Sequence, residues 1–163
     1  MMEMATPQRE HKWLQRFVGE WTSETEMSME PGKPPEKCYG TESVRSLGDL
    51  WILAEGRGDM PGCGPVSMVL TLGYDPQRKR FVGTWIGSMM THLWVYDGAL
   101  DPAERALTLE AEGPSMEAPE AKMGKYRDVM EFRSDDHRVL SSYTLGADGA
   151  WHQFMTVHYR RKK

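Results

Sequence analysis

The sequence predicts an all-β protein, an antiparallel up-and-down barrel of about ten strands with a short N-terminal helix over one end. Three observations predict it: short segments of alternating apolar residues recur along the chain, turn-forming residues separate most of them, and a helical pattern occurs only before residue 20. An open sheet of this size would expose two edges and one apolar face. Closing the sheet into a barrel removes the edges and buries that face.

The helix is predicted from its capping residues and from one apolar face. Thr6 can cap its start, and Pro7 suits the first helical position. Trp13 and Phe17 stand four residues apart and therefore share a face. Gly19 can adopt the left-handed conformation that ends a helix. We expect this helix to cover one mouth of the barrel.

The strands are predicted from residue alternation and from the turns between them. Alternation is clearest in LTLEAE and YRDVMEF, where every second residue from Leu107 and from Tyr126 shares a face. The run DPQRKR is predicted to be a solvated hairpin turn begun by Asp75 and Pro76. The predicted strands are residues 20–29, 38–47, 50–56, 65–73, 80–87, 91–98, 106–112, 124–133, 138–145 and 151–161.

Length and charge exclude several classes of protein. A chain of 163 residues fits a single barrel domain, 1–163, with residues 1–6 and 162–163 frayed. Its 20 basic and 24 acidic side chains leave a net charge of -4, which argues against nucleic-acid binding. No apolar run is long enough to span a membrane, and the first residues do not resemble a secretion signal. We therefore expect a soluble cytoplasmic protein, a monomer or a homodimer.

The cysteines carry no recognisable motif. Cys38 and Cys63 are spaced neither as a redox pair nor as zinc ligands. Reduced thiols are predicted, although one disulfide between them stays open because sequence spacing does not determine spatial distance.

Five segments follow one another in the order of a known family. They are FVGEW from Phe17, LGDLW from Leu47, the hairpin from Gly73 to Trp85 with the SMMT that follows it, LTL from Leu107, and YRRK from Tyr159. In these segments the chain resembles, over residues 10 to 162, a widespread family of bacterial domains of unknown function. The resemblance implies a lipocalin-like (calycin-type) barrel and carries no assigned reaction or catalytic residue.

The resemblance also implies how the barrel closes, and the chain departs from the family pattern in places. In such barrels the tryptophan of the first strand, here Trp21, closes one end, and an arginine of the last strand, Arg160 or Arg161, stacks on it. The departures are Asp49, where a glycine is usual, the position of Arg160, where a small polar residue is usual, and His158. The histidine would distinguish this member if it faced the interior.

Aromatic and methionine side chains predict an interior that accepts an apolar molecule. The chain has 6 Trp and 13 Met, and flat rings and flexible thioethers adapt to varied apolar shapes. That these side chains only fill a core is the alternative, and it stays open. The predicted ligand-binding residues are Trp85, Met89, His92, Trp94, Met130, Phe154 and His158.

The histidines predict no metal site. His152 and His158 are six residues apart, about 20 Å along a strand, and cannot share one ion. His11 is expected on the exposed helix face, and His137 in a turn. No cofactor is predicted, with one minor alternative: His92 or His158 alone could be the axial ligand of a haem.

No catalytic residue is predicted, because the chain lacks a nucleophile elbow, a zinc-protease helix, a phosphate loop and a dinucleotide motif. Glu42 and Arg45 have opposite parity on one strand, as do Arg127 and Asp128 on another, so at most one of each pair faces inward. An inward arginine beside an inward carboxylate is usually a buried ion pair.

The leading functional hypothesis is a barrel that binds a small apolar or amphipathic molecule inside. Two alternatives remain: an enzyme that acts on such a molecule in the same cavity, and a structural or regulatory module whose barrel is filled by its own side chains.

Overall fold

The computed structural model describes residues 2–28, 32–60, 64–118, 120 and 122–163, and it confirms the predicted barrel. Ten strands form one closed antiparallel sheet in which each pairs with its neighbour in the chain and β1 pairs with β10. The elements are α1 Arg9–Leu14, a 3₁₀ helix Gln15–Phe17, β1 Gly19–Met27, β2 Glu36–Leu47, β3 Trp51–Met60, β4 Gly64–Asp75, β5 Arg80–Gly87, β6 Trp94–Leu100, β7 Ala106–Pro114, β8 Met123–Ser134, β9 His137–Leu145 and β10 Trp151–Arg161.

Several predicted boundaries are wrong; the third strand, for example, ends at Met60 and not at residue 56. The helix begins at Arg9 with Gln8 as its N-cap, and not behind Thr6 and Pro7. The backbone N–H of Gln8 donates a hydrogen bond to Nδ1 of His11 at 2.9 Å, which fixes the first turn here. The sixth strand begins at Trp94, three residues later than predicted.

Alternation along the strands determines which side chains face the interior. On β7, Leu107 and Leu109 point inward and are fully buried. On β8, Met130 and Phe132 are buried on the same side of the sheet, as predicted. The parity rule therefore holds over the regular parts of the barrel.

The helix closes the end of the barrel where the chain also turns from β4 to β5 and from β6 to β7. Trp13 and Phe17 make edge-on ring contacts with each other and with Phe132, at 4.9–5.6 Å between ring centroids. The Trp13 indole donates a hydrogen bond to the Glu104 carbonyl at 2.7 Å. This end is a packed apolar core.

His11 corrects one prediction, because it is buried at 3% exposure and not on the exposed helix face. Its Nδ1 accepts the hydrogen bond from Gln8, so Nε2 carries the proton and donates to the carbonyl of Tyr74 at 3.0 Å. The ring thereby joins α1 to β4.

The predicted turn at DPQRKR is a solvated hairpin turn between β4 and β5. Asp75 accepts hydrogen bonds from the backbone N–H of Gln77 and Arg78, an arrangement typical of turns. Arg78 and Arg80 pair with Asp97 of β6 and bind no other described carboxylate. The turn is structural.

Among the described residues no helix is long and apolar enough to cross a membrane. Cys38 lies half-buried on the inner face of β2, and burial raises the pKa of its thiol. Cys63 lies outside the described residues, so the state of the two thiols stays a prediction.

Candidate functional site

Aromatic side chains line the inner wall at the end of the barrel opposite the helix, called here the open end. Trp85 and Trp94 are paired in register on β5 and β6. The Trp94 ring meets Tyr126 edge-on at 4.9 Å, and Tyr126 meets Phe154 at 6.2 Å. Met89, in the loop after β5, covers the inner face there. The structure therefore brings together four of the seven predicted ligand-binding residues.

Methionines complete the lining of the open end. Four of them occupy inward positions near the strand ends, and three of these are half-buried. They are Met27, Met60, Met68 and Met155. Flexible thioethers beside rings make a lining that adapts to an apolar guest.

Met130, the fifth predicted residue, lies deeper in the barrel. It is buried and pairs in register with Leu107 and Leu140. Its place is in the packed core and not at the open end.

The two predicted histidines do not face the interior. His158 lies on the outer wall, paired in register with Glu24 and Val139, and its ring stacks on His137 with a ring-nitrogen contact of 2.9 Å. Burial, with Arg160 nearby, lowers the pKa of His137. His92 lies at the rim, where Nε2 contacts the Glu112 carbonyl at 2.9 Å. Neither imidazole is placed to ligate a haem inside the barrel.

His92 lines a groove on the outer wall with a volume of about 440 Å³. The groove lies where the β6–β7 ladder stops, beyond the pair Asp97 and Glu110. Besides His92 its walls include the charged residues Glu110, Glu112 and Lys125 and the largely apolar residues Leu93, Val95, Ala111, Tyr126 and Trp151. These mixed walls open to water, so the groove encloses an apolar molecule less completely than an interior site would.

Asp128 is the centre of a polar group on the inner wall at mid-height. Tyr96 donates a hydrogen bond to Oδ2 of Asp128 at 2.5 Å, and Ser142 donates to Oδ1 at 2.6 Å. Burial raises the pKa of Asp128, and the hydrogen bonds from Ser142 and Tyr96 lower it in part. Burial and the neighbouring Asp128 carboxylate raise the pKa of Tyr96 well above its usual value.

A buried ion pair lies between this group and the helix. Arg138 of β9 reaches across two strands to bind Glu42 of β2, with side-chain exposures of 5% and 12%. The guanidinium lies 3.9 Å from the Tyr159 ring centroid and 4.6 Å from that of Trp21. Burial, with the Glu42 carboxylate, raises the pKa of Tyr159. These side chains form a polar floor above the packed core.

Inward side chains above this floor keep part of their surface exposed. Asp128, Leu140 and Tyr159 face inward, lie away from the open end and yet are only half-buried. Each of the three is paired in register with residues on both neighbouring strands, so this exposure lies on the inner face of the sheet. Small residues occupy inward positions on neighbouring strands, among them Ser23, Thr25 and Gly56, and we infer that they leave space inside the barrel. We call this space the lumen.

Strand β10 meets β1 through Trp21 and Arg161. Trp21 is fully buried, and the Arg161 guanidinium lies 4.2 Å from its ring centroid. Arg161 also donates hydrogen bonds to the carbonyls of Val18 and Arg16. Arg160 points outward and is exposed, so of the two arginines only Arg161 takes the position that the resemblance implies.

The predicted ligand-binding residues do not include the polar residues that face the lumen. Parity allows at most one member of each pair Glu42/Arg45 and Arg127/Asp128 to face inward, and in the structure the carboxylates do so. Arg138 was not predicted. In the part of the chain that the structure describes, no three His, Cys, Asp or Glu side chains are grouped to hold a metal ion.

Solved structures with the same fold differ widely from this chain in sequence. Rv2717c from M. tuberculosis matches with a TM-score of 0.65 at 12% identity, over 96% of this chain and 99% of that one. The S-type phycobiliprotein lyase CPES from Guillardia theta matches with a TM-score of 0.59 at 15% identity, over 96% and 99%. EF1p2_mFAP2b, solved bound to DFHBI, matches with a TM-score of 0.50 at 10% identity, over 94% and 99%. These identities show a shared fold alone.

Sequence comparison agrees with the predicted resemblance. No curated protein matches the chain. Residues 6–161 match the family described as "Protein of unknown function (DUF1579)". Because this match covers nearly the whole chain, the protein belongs to the DUF1579 family.

Proposed function

We propose that the protein binds a small apolar or amphipathic molecule in the lumen and admits it through the open end. The observation that carries the proposal is the partial exposure of inward side chains in mid-barrel, although each of them is paired with both neighbouring strands. A barrel filled by its own side chains would bury them. The helix and its core close the other end, so the open end is the route that the geometry favours.

The lining of the lumen supports an apolar guest. Trp85, Trp94, Met68 and Met155 present rings and thioethers on the way to Asp128. Burying an apolar chain against such a surface contributes roughly 25 cal/mol per Å² removed from water. A barrel of the same fold has been solved bound to the small molecule DFHBI, which supports small-molecule binding by such a fold.

The substitution Gly56→Leu tests the proposal by filling the lumen. Gly56 faces inward beside Glu42, and a Cβ added to it would lie 3.6 Å from Cγ of Met68, an ordinary contact. The rest of the leucine side chain must then occupy the lumen. We expect a folded protein whose affinity for decanol, measured by calorimetry, falls about tenfold or more, equivalent to roughly 1.4 kcal/mol.

The matched control is Glu55→Leu on the same strand. Glu55 is exposed on the outer wall, so this leucine leaves the lumen unchanged. We expect the decanol affinity of the wild type. Equal affinities for all three proteins, or no decanol binding by the wild type, would remove the basis for a binding lumen.

The Asp128 group supports a second candidate function, an enzyme acting on the molecule in the same lumen. A half-buried carboxyl of raised pKa, hydrogen-bonded to a tyrosine, is typical of acid–base sites. Its test is turnover of a metabolite panel by the wild type and by Tyr96→Phe. Turnover lost in the variant supports the enzyme, and a panel left unchanged by the wild type contradicts it.

A further inference from the structure

We infer that the molecule in the lumen carries a hydrogen-bond-donating end, a protonated amine in preference to a hydroxyl, and that this end binds Asp128. The inference rests on the proposed function and names the class of its ligand. It excludes a carboxylate end, such as that of a fatty acid.

The first argument is the hydrogen-bond chemistry of the Asp128 group. Both Tyr96 and Ser142 donate their hydroxyl protons to the Asp128 carboxylate. An ionised carboxylate accepts about four hydrogen bonds, so roughly two of its acceptor positions stay available. The hydroxyl oxygens of Tyr96 and Ser142 are acceptors as well. This group therefore offers a ligand only hydrogen-bond acceptors. A ligand must carry a hydrogen-bond donor to bind to them.

The second argument is the distribution of charge in the barrel. The inward cation Arg138 is bound by Glu42 and covered by aromatic rings. Arg161 lies at the helix end and pairs with Asp136 at 3.3 Å. Among the described residues, no cationic side chain forms an ion pair with Asp128. The ionised form of Asp128 is therefore an uncompensated negative charge, which an ammonium group would match and a carboxylate would oppose.

The third argument is the position of Asp128 along the barrel axis. It lies near the middle of β8 and is half-buried from the lumen side. The path from the open end passes Trp94, Met155 and Tyr126, which are apolar over most of their surface. An amphipathic molecule thus fits with its donor end at Asp128 and its apolar chain toward the open end.

The groups that face Asp128 do not change their charge over the pH range in which Asp128 titrates. They are Tyr96 of β6, Ser142 of β9 and Tyr159 of β10, with the Arg138–Glu42 pair beyond, while β7 presents Leu109. Burial keeps both tyrosines neutral, because it raises their pKa values. Below pH 10, roughly the ordinary tyrosine pKa, Asp128 is thus the titrating group that faces the ligand end.

The experiment compares decylamine, decanol and decanoate, which share one chain length and differ in the end group. Calorimetry with the wild type at neutral pH should give the tightest binding for decylamine and the weakest for decanoate. Asp128→Asn should weaken decylamine binding by about tenfold or more, in line with hydrogen bonds to charged groups. Its effect on decanol should be much smaller, because a neutral acceptor remains.

Glu110→Gln is the matched control, since Glu110 is a carboxylate in the outer groove and pairs with Arg127. It should leave decylamine binding unchanged. If it weakens decylamine binding as much as Asp128→Asn does, the amine binds in the groove and the inference is wrong.

A pH titration of the wild type needs no variant and gives an independent readout. Protonation of Asp128 removes its charge, so decylamine affinity should fall as the pH decreases through the raised pKa of this carboxyl, while decanol affinity stays nearly constant.

The outcomes separate the two proposals. Equal binding of the three molecules, or tightest binding of decanoate, overturns the inference and leaves a binding lumen. Binding of none of them overturns both.

Discussion

Replacing Arg138 with methionine is expected to lower the free energy of unfolding by about 3–5 kcal/mol, because it leaves a buried carboxylate without its partner. Arg138 binds Glu42 in the barrel interior, and both side chains are nearly excluded from water. Methionine preserves much of the apolar volume over Tyr159 and removes the charge. Chemical denaturation at neutral pH measures the difference.

The double variant Arg138→Met with Glu42→Gln is the decisive comparison. Removing both charges should recover most of the stability, since the cost lies in the unpaired carboxylate and not in the loss of attraction. Arg127→Met on the outer wall, which breaks the exposed pair with Glu110, should cost at most about 1 kcal/mol. A double variant as unstable as Arg138→Met would show that the ion pair is not the cause.

Replacing Phe17 with alanine is expected to lower the free energy of unfolding by about 3–5 kcal/mol. Phe17 is 2% exposed, contacts Trp13 and Phe132, and supplies the carbonyl that accepts the indole N–H of Trp21 at 2.8 Å. Its loss leaves a cavity between the helix and the barrel. Thermal and denaturant unfolding measure the effect.

The control for this substitution is Tyr39→Ala, which removes an aromatic ring that is 65% exposed on the outer wall. It should change stability by no more than about 0.5 kcal/mol. Similar losses for Phe17→Ala and Tyr39→Ala would mean that the helix does not hold the closed end of the barrel.

The barrel itself is predictable from the sequence because its signals are local. In LTLEAE alternate residues from Leu107 point inward, and the turn at Asp75 separates two strands by residue type alone. Because the connections between strands are short, strands that follow one another in the chain must also pair in the sheet. The helix starts later than the sequence predicts, because the side chain of His11 accepts a hydrogen bond from the backbone N–H of the N-cap residue Gln8.

The polar group of the lumen is harder to predict, because its partners are distant in the chain. Glu42 and Arg138 are separated by 96 residues and meet across β1 and β10. Parity alone left the inward member of Glu42/Arg45 open. Which carboxylate faces inward, and which arginine meets it, depends on the register of the closed sheet.

The sequence also does not predict the orientation of His158, because the strand that contains it is irregular. The pairing of β10 with β9 shifts between Gln153 and Met155, so alternation cannot be counted across that point. The shift brings Phe154 to Tyr126 and leaves His158 on the outer wall. A bulge of this kind has no dependable signature in the residue types around it.

A crystal structure with bromine-labelled decanol tests most directly whether the barrel has a lumen that binds apolar molecules. We predict one anomalous bromine peak inside the barrel, between Met68 and Trp85, with the hydroxyl within hydrogen-bond distance of Asp128. A peak in the outer groove beside Trp151, or an interior filled by protein side chains with no bound alcohol, would contradict it.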